Sequence, residues 1–152
     1  MSDKLDVVGI GNAMVDAIIP SNQSEIEKHE INRDSMNLID ENLKNNLHES
    51  YSIREMAGGG SLGNSMFGIT SFGGNGSFIG KIKNDEIGVY LQKDMIREGL
   101  KFPLGFTSPD ISTGCCTIFV EEDGTRTMCT FLGAGTLIAV SYTHLTLPTI
   151  LS

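Results

Sequence analysis

Tryptophan is absent from the 152 residues, and aromatic side chains of all kinds amount to only 7%. The core must therefore be assembled mainly from aliphatic residues and methionine. Cysteine is scarce: Cys115, Cys116 and Cys129 form no CxxC pair and no even-numbered disulfide framework. Adjacent cysteines rarely bridge because the geometry is strained, so reduced thiols buried on strands are expected rather than redox or metal chemistry. The histidines (His29, His48 and His144) are scattered without zinc spacing, and no metal site is expected. Basic residues are also few, 11 Lys and Arg against 19 Asp and Glu, for a formal charge of -8. Phosphate-backbone binding relies on Lys and Arg, which argues against nucleic acid as the main partner. A long apolar run is missing too. Met1-Ser2-Asp3-Lys4 is no basic leader, and Asn12 and Asp16 interrupt the apolar stretch behind it. Neither a signal peptide nor a membrane anchor is expected, and the cytoplasm is the default location.

What the chain has in quantity is glycine, 18 residues with no collagen-like period. Such a number points to tight turns and to backbone that must approach something closely. The length suits one compact domain or a part of a larger one. Val7-Val8-Gly9-Ile10 reads as a buried strand ended by Gly11-Asn12, and extended structure resumes from Asp16 to Pro20. Ser24 to Glu30 is expected as a short helix capped by Ser24, and Met36 to Ile39 as a strand. Asp40 caps a helix with Leu43 and Leu47 on one face. Ala57-Gly58-Gly59-Gly60-Ser61 is a glycine loop feeding a helix with Leu62, Met66 and Ile69 at helical spacing, closed by Gly73-Gly74. Ser77 to Gly80 is a strand. Asn84 or Asp85 caps the next helix, whose buried face is Ile87, Tyr90, Leu91 and Met95. This alternation predicts a parallel sheet with crossover helices. Thr113 to Val120 and Arg126 to Leu132 are strand-like runs joined across Asp123-Gly124, a hairpin expected to form an accessory flap or lid.

Gly133 to Ser152 contain no Asp, Glu, Lys or Arg. Val140-Ser141-Tyr142-Thr143-His144-Leu145-Thr146-Leu147-Pro148-Thr149 is similar to translated sequencing-adapter read-through. Residues 1–138 are therefore expected to be the native domain part, and 139–152 a non-native tail.

Two glycine motifs invite a nucleotide-binding reading, and both fail on chemistry. Gly9-Ile10-Gly11-Asn12-Ala13-Met14 begins like the dinucleotide fingerprint GxGxxG. Its sixth position is Met14, where close helix–strand packing needs a small residue. Gly58-Gly59-Gly60-Ser61-Leu62-Gly63-Asn64-Ser65 fits GxxxxGK[ST] except that Asn64 replaces the phosphate-binding lysine. Backbone N–H groups and a neutral amide at a helix N-terminus suit hydroxyls better than a triphosphate.

Taken together, the motifs carry a resemblance. Gly11-Asn12 followed by Asp16, then Gly59 to Ser65 closed by Gly73, then Phe78-Ile79-Gly80-Lys81 with Asp85-Glu86-Ile87-Gly88, resembles the N-terminal half of ribokinase/PfkB-family carbohydrate kinases. Thr113-Gly114-Cys115-Cys116, Asp123 to Met128 and Thr130 to Ala134 look most like the adenosine-kinase branch. The resemblance covers residues 5 to 138. It implies a ribokinase-like α/β fold, truncated, with a mostly parallel sheet flanked by helices and a small β lid. It also implies ATP- and Mg²⁺-dependent phosphorylation of a primary hydroxyl on a ribose-like ring, adenosine being the expected acceptor. Asp16 would then accept hydrogen bonds from two vicinal ring hydroxyls, using two oxygens strengthened by charge. Asn64 and the backbone at Gly59 and Gly60, with Ser61 beside them, would bind the same sugar, and Asn12 could reach either sugar or base. Arg126 matches an arginine that reaches from the lid toward the transferring phosphate. Cys116 and Phe131 are pocket-lining candidates.

The family's catalytic base is an aspartate in a Gly-Ala-Gly-Asp turn of the C-terminal half. Gly133-Ala134-Gly135 is followed here by Thr136 and comes too early, so no catalytic residue is assigned in this chain. Lid strands imply a possible homodimer. A kinase for another sugar, or an inactive ligand-binding fragment, stays open as an alternative.

Overall fold

The computed structural model describes residues 4–103 and 105–138. The expectation of a non-native tail over 139–152 lies outside these residues. In chain order the elements are β1 (Val7–Ile10), β2 (Met14–Pro20), α1 (Gln23–Glu27), β3 (Met36–Leu38), α2 (Glu41–Ser50), β4 (Glu55–Gly59) and α3 (Ser61–Ser71). They continue with β5 (Gly76–Ile79), β6 (Ile82–Lys83), α4 (Glu86–Arg97), β7 (Phe106–Ser108), β8 (Gly114–Val120), β9 (Arg126–Phe131) and a 3₁₀ turn at Gly133–Leu137. Among the described residues no helix is long and apolar enough to cross a membrane.

Helix starts follow side-chain chemistry. Asp40 accepts the Leu43 N–H and Asp85 the Gly88 N–H, as expected of N-caps. α1 corrects the sequence reading: its cap is Asn22, not Ser24, in a reciprocal capping box with Glu25. A second correction concerns the glycine loop, because residues through Gly59 are a paired strand and only Gly60, at φ +79°, makes the turn into α3. Glycine is required there, since L side chains rarely adopt that conformation.

Strands form a five-stranded sheet, ordered β3-β9-β8-β2-β4, and two two-stranded sheets, β1-β5 and β6-β7. β1–β5, β6–β7, β2–β8 and β3–β9 are parallel, whereas β2–β4 and β8–β9 are antiparallel. The β8–β9 hairpin turns at Gly124 (φ +86°) as its Asp-Gly signal predicts. It lies inside a five-stranded sheet, because β2 and β3 pair with its outer edges.

One core cluster joins Val15, Met66, Phe78, Leu91, Met95 and Leu100 between β2, β5, α3 and α4. A second joins Ile19, Ile26, Leu47, Phe119 and Cys129, so α1 and α2 cover one face of the five-stranded sheet. Each of these side chains contributes about 1.5–3 kcal/mol by leaving water. β1 departs from its expected burial: Val7 and Val8 are 38% and 37% exposed, because among the described residues β1 has only β5 beside it.

Candidate functional site

β2 is the hub of the site. Flanked by β4 and β8, it sends Val15, Ala17 and Ile19 to the covered face and Met14, Asp16 and Ile18 to the opposite one. The register sets Asp16 level with Cys116 on β8, and Cys116 level with Thr130 on β9. Asp16 is half-buried, and burial alone raises its carboxyl above the ordinary value of 3.8. Among the described residues no cation and no hydrogen-bond donor offsets that cost. A carboxylate partly withdrawn from water without a partner is costly to the fold.

The glycines explain how the carboxylate is placed. A Cβ on Gly59 would overlap the Asp16 carboxyl carbon and both its oxygens, so Asp16 lies directly on the Gly59 backbone. A Cβ on Gly60 would stand 3.1 Å from Met14 Cγ and 3.7 Å from the Asn12 carbonyl oxygen. On Gly135 it would stand 3.0–3.2 Å from Asn12. Asp16, Gly59, Gly60 and Asn12 are thus brought together at the end of β2. Ser61 and Asn64 occupy the first turn of α3 with exposed side chains, and Gly60 offers no side-chain cap to the amides there. The N-terminal pole of an 11-residue helix, two amide side chains and an unpaired carboxylate therefore share one end of the sheet. That set can accept and donate hydrogen bonds to a polyol.

The remaining candidates separate. Cys116 lies on the Asp16 face and its Sγ accepts the Thr130 hydroxyl at 3.3 Å. Burial, with the Asp16 charge adding to it, pushes this thiol up against the opposing Thr130 bond. Phe131 lines a cavity of about 280 Å³ with Leu38, Ile111, Thr130, Leu132 and Thr136. Its position opposite Cys115, however, turns its ring to the covered face, where the Lys44 ammonium sits 5.2 Å from the centroid. Phe131 therefore borders the cavity without joining Cys116 and Asp16. Arg126 is exposed at the start of β9, opposite Val120 and four residues from Thr130. Four residues of strand span about 13 Å, so the fold does not bring Arg126 to Asp16.

Met14, Thr130, Leu38 and Leu132 were not among the site residues expected from the sequence, although Met14 shares the Asp16 face of β2 and the other three line the cavity. Alternation along β2 was the available signal for Met14, two residues before Asp16. For Thr130 and Leu38 no local signal exists, since their place follows from the β3–β9 and β8–β9 registers.

The fold defines a ribokinase-like α/β domain that carries the half-buried Asp16 carboxylate on one sheet face. The family model for pfkB family carbohydrate kinases matches residues 5–140, and the chain belongs to that family. An adenosine kinase structure from Sinorhizobium meliloti shares 35% identity at a TM-score of 0.79, covering 90% of this chain and 42% of that one. A probable sugar kinase from Rhizobium etli CFN 42 shares 32% identity at a TM-score of 0.78, covering 89% and 41%. Adenosine kinase from Anopheles gambiae, solved in complex with P1,P4-di(adenosine-5) tetraphosphate, shares the fold at 22% identity and a TM-score of 0.78, covering 91% and 42%. The chain thus spans about two fifths of the length of these structures. A search of curated proteins gives no match.

Proposed function

We propose that residues 5–138 form the acceptor-binding part of an ATP-dependent kinase that phosphorylates the primary hydroxyl of a nucleoside, adenosine in the first instance. The observation that carries this reading is the unpaired Asp16 carboxylate lying on the Gly59 backbone. Its two oxygens accept the vicinal ribose hydroxyls, and each charge-assisted bond contributes about 1.5–3 kcal/mol. The Asn64 and Asn12 amides and the Gly60 turn close around the same ring. Beyond Thr130, the apolar cavity between Leu38 and Leu132 suits a flat base and favours a nucleoside over a bare sugar.

ATP would supply the transferred phosphoryl group. Among the described residues no three His, Cys, Asp or Glu side chains are grouped to hold a metal ion, so no role of Mg²⁺ is derived from them. In this reading the general base belongs to chain beyond the described residues. The test is phosphate transfer from γ-labelled ATP by the full-length kinase to adenosine, ribose and fructose in parallel. Adenosine should give the highest kcat/KM. Preference for a free sugar, or transfer to none of the three, contradicts the proposal.

A further inference from the structure

Among the described residues β4 is an edge of the five-stranded sheet, so its outward backbone groups have no neighbouring strand there. Helix α4 supplies side chains in place of one. The Tyr90 hydroxyl donates to the Met56 carbonyl, and the Asp94 carboxylate accepts the Gly58 N–H at 2.8 Å. Tyr90 and Asp94 are four residues apart on one helix face, matched to alternate residues of the strand. Asp94 is only 5% exposed and sits within the apolar stripe of α4 between Leu91 and Met95. A buried carboxylate is costly unless it is hydrogen-bonded, and this one is held on its other side by the Arg97 guanidinium. Gly58 leaves room for the contact: a Cβ there would stand 2.7 Å from Phe67 Cζ and 2.9 Å from Asp94 Oδ2. The next residue is Gly59, on which the Asp16 carboxylate rests.

We propose that Asp94, assisted by Tyr90, is a positioning residue that fixes the Gly58–Gly59 backbone and so sets where the Asp16 carboxylate meets the acceptor hydroxyls. The inference rests on the reading of Asp16 as the hydroxyl acceptor. It assigns a task to an acid that touches no substrate and lies outside the site. The chemistry of the clip is a backbone N–H held by a carboxylate oxygen, which an asparagine oxygen can also hold and a methyl group cannot.

The experiment compares Asp94→Ala, Asp94→Asn and Tyr90→Phe in the full-length kinase. It measures KM for nucleoside and for ATP, kcat, melting temperature, and amide exchange across residues 55–62. Asp94→Ala should raise the nucleoside KM by about tenfold or more and leave the ATP KM within about twofold. Exchange at Gly58 should accelerate by about 100-fold as its N–H loses its partner. Asp94→Asn should restore the nucleoside KM to within about threefold of wild type, and Tyr90→Phe should raise it by about threefold. An unchanged nucleoside KM in Asp94→Ala overturns the inference. So does an equal rise in both KM values, or no rescue by asparagine at a restored melting temperature, since either marks a merely structural role. A wild-type enzyme that phosphorylates no nucleoside would refute the proposed function instead. The clip is then judged on exchange alone: acceleration at Gly58 in Asp94→Ala supports it, and no change overturns it.

Discussion

Gly59→Ala isolates the geometry of the site from its chemistry, because it removes no functional group. A methyl at this position would lie inside the carboxylate of Asp16, well under the 3.0 Å that real Cβ contacts keep. The backbone itself tolerates alanine, since Gly59 is a paired strand residue without positive φ. Relief must come from Asp16 retreating by about 1 Å, and a misplacement of that size costs on the order of 100-fold in positioning. That equals about 2.7 kcal/mol, or the greater part of one charge-assisted hydrogen bond to a ring hydroxyl. Titration calorimetry of the full-length kinase with adenosine should therefore show affinity about 30- to 100-fold weaker, while the far-ultraviolet spectrum stays that of the wild type. Gly68→Ala is the control, because its Cβ would meet nothing within 4 Å. In the interior of α3 it should stabilise the fold by about 0.5–1 kcal/mol and leave affinity unchanged. Gly59→Ala binding adenosine within threefold of wild type would refute the placement of Asp16 on Gly59.

Three further outcomes follow from the titrating groups. Burial raises the Asp16 carboxyl above 3.8, so the fold bears the cost of its charge at neutral pH and is free of it in acid. Asp16→Asn should raise the melting temperature at pH 7 and lose that advantage as the pH falls below the raised carboxyl value. His48 is shifted the other way, lowered from 6.5 by burial and then by the Lys44 ammonium, with its Nε2 against Thr117 Oγ1 at 2.9 Å. Its contribution to stability is complete above the unfolded value and declines as the pH falls through the folded one, so His48→Gln should flatten the melting-temperature profile between pH 7 and 5. Burial pushes the Cys115 thiol up to about 12 and the Cys129 thiol up to about 11. Thiolate fractions at pH 8 are then about 10⁻⁴ and 10⁻³, and a disulfide reagent should label these native thiols about 100-fold more slowly than the urea-unfolded chain.

Local chemistry made much of this molecule readable in advance. Asp40 and Asp85 cap their helices because a carboxylate beside free amides is a short-range event, and Asp123-Gly124 turns the hairpin for the same reason. Asn22 took the cap expected of Ser24: Glu25 reaches back to complete its box, and the Ser24 hydroxyl donates to the Asn22 side-chain oxygen instead of capping. What lay beyond local reading was partnership. Gly58 and Gly59 have little strand propensity, and they extend because β2 pairs on one side and α4 clips the other. The face on which Phe131 lands depends on its register against Cys115, which no nearby residue encodes. Asp16 was legible as a candidate from its place after Gly11-Asn12, but its contact with Gly59 joins residues 43 apart in the sequence. Asp94 was overlooked although it falls in the stripe of Ile87, Tyr90, Leu91 and Met95, where an acid needs a buried partner.

The claim that Asp16 reads the acceptor hydroxyls is tested most directly by a binding cycle. Adenosine, 2′-deoxyadenosine and 3′-deoxyadenosine are titrated into wild-type and Asp16→Asn full-length kinase. In the wild type each missing hydroxyl should weaken binding by about tenfold or more, the worth of one charge-assisted bond. In Asp16→Asn the discrimination should shrink to about threefold, because a neutral amide offers one weaker acceptor. Equal discrimination by the two proteins would contradict the account and place the recognition of the ring elsewhere.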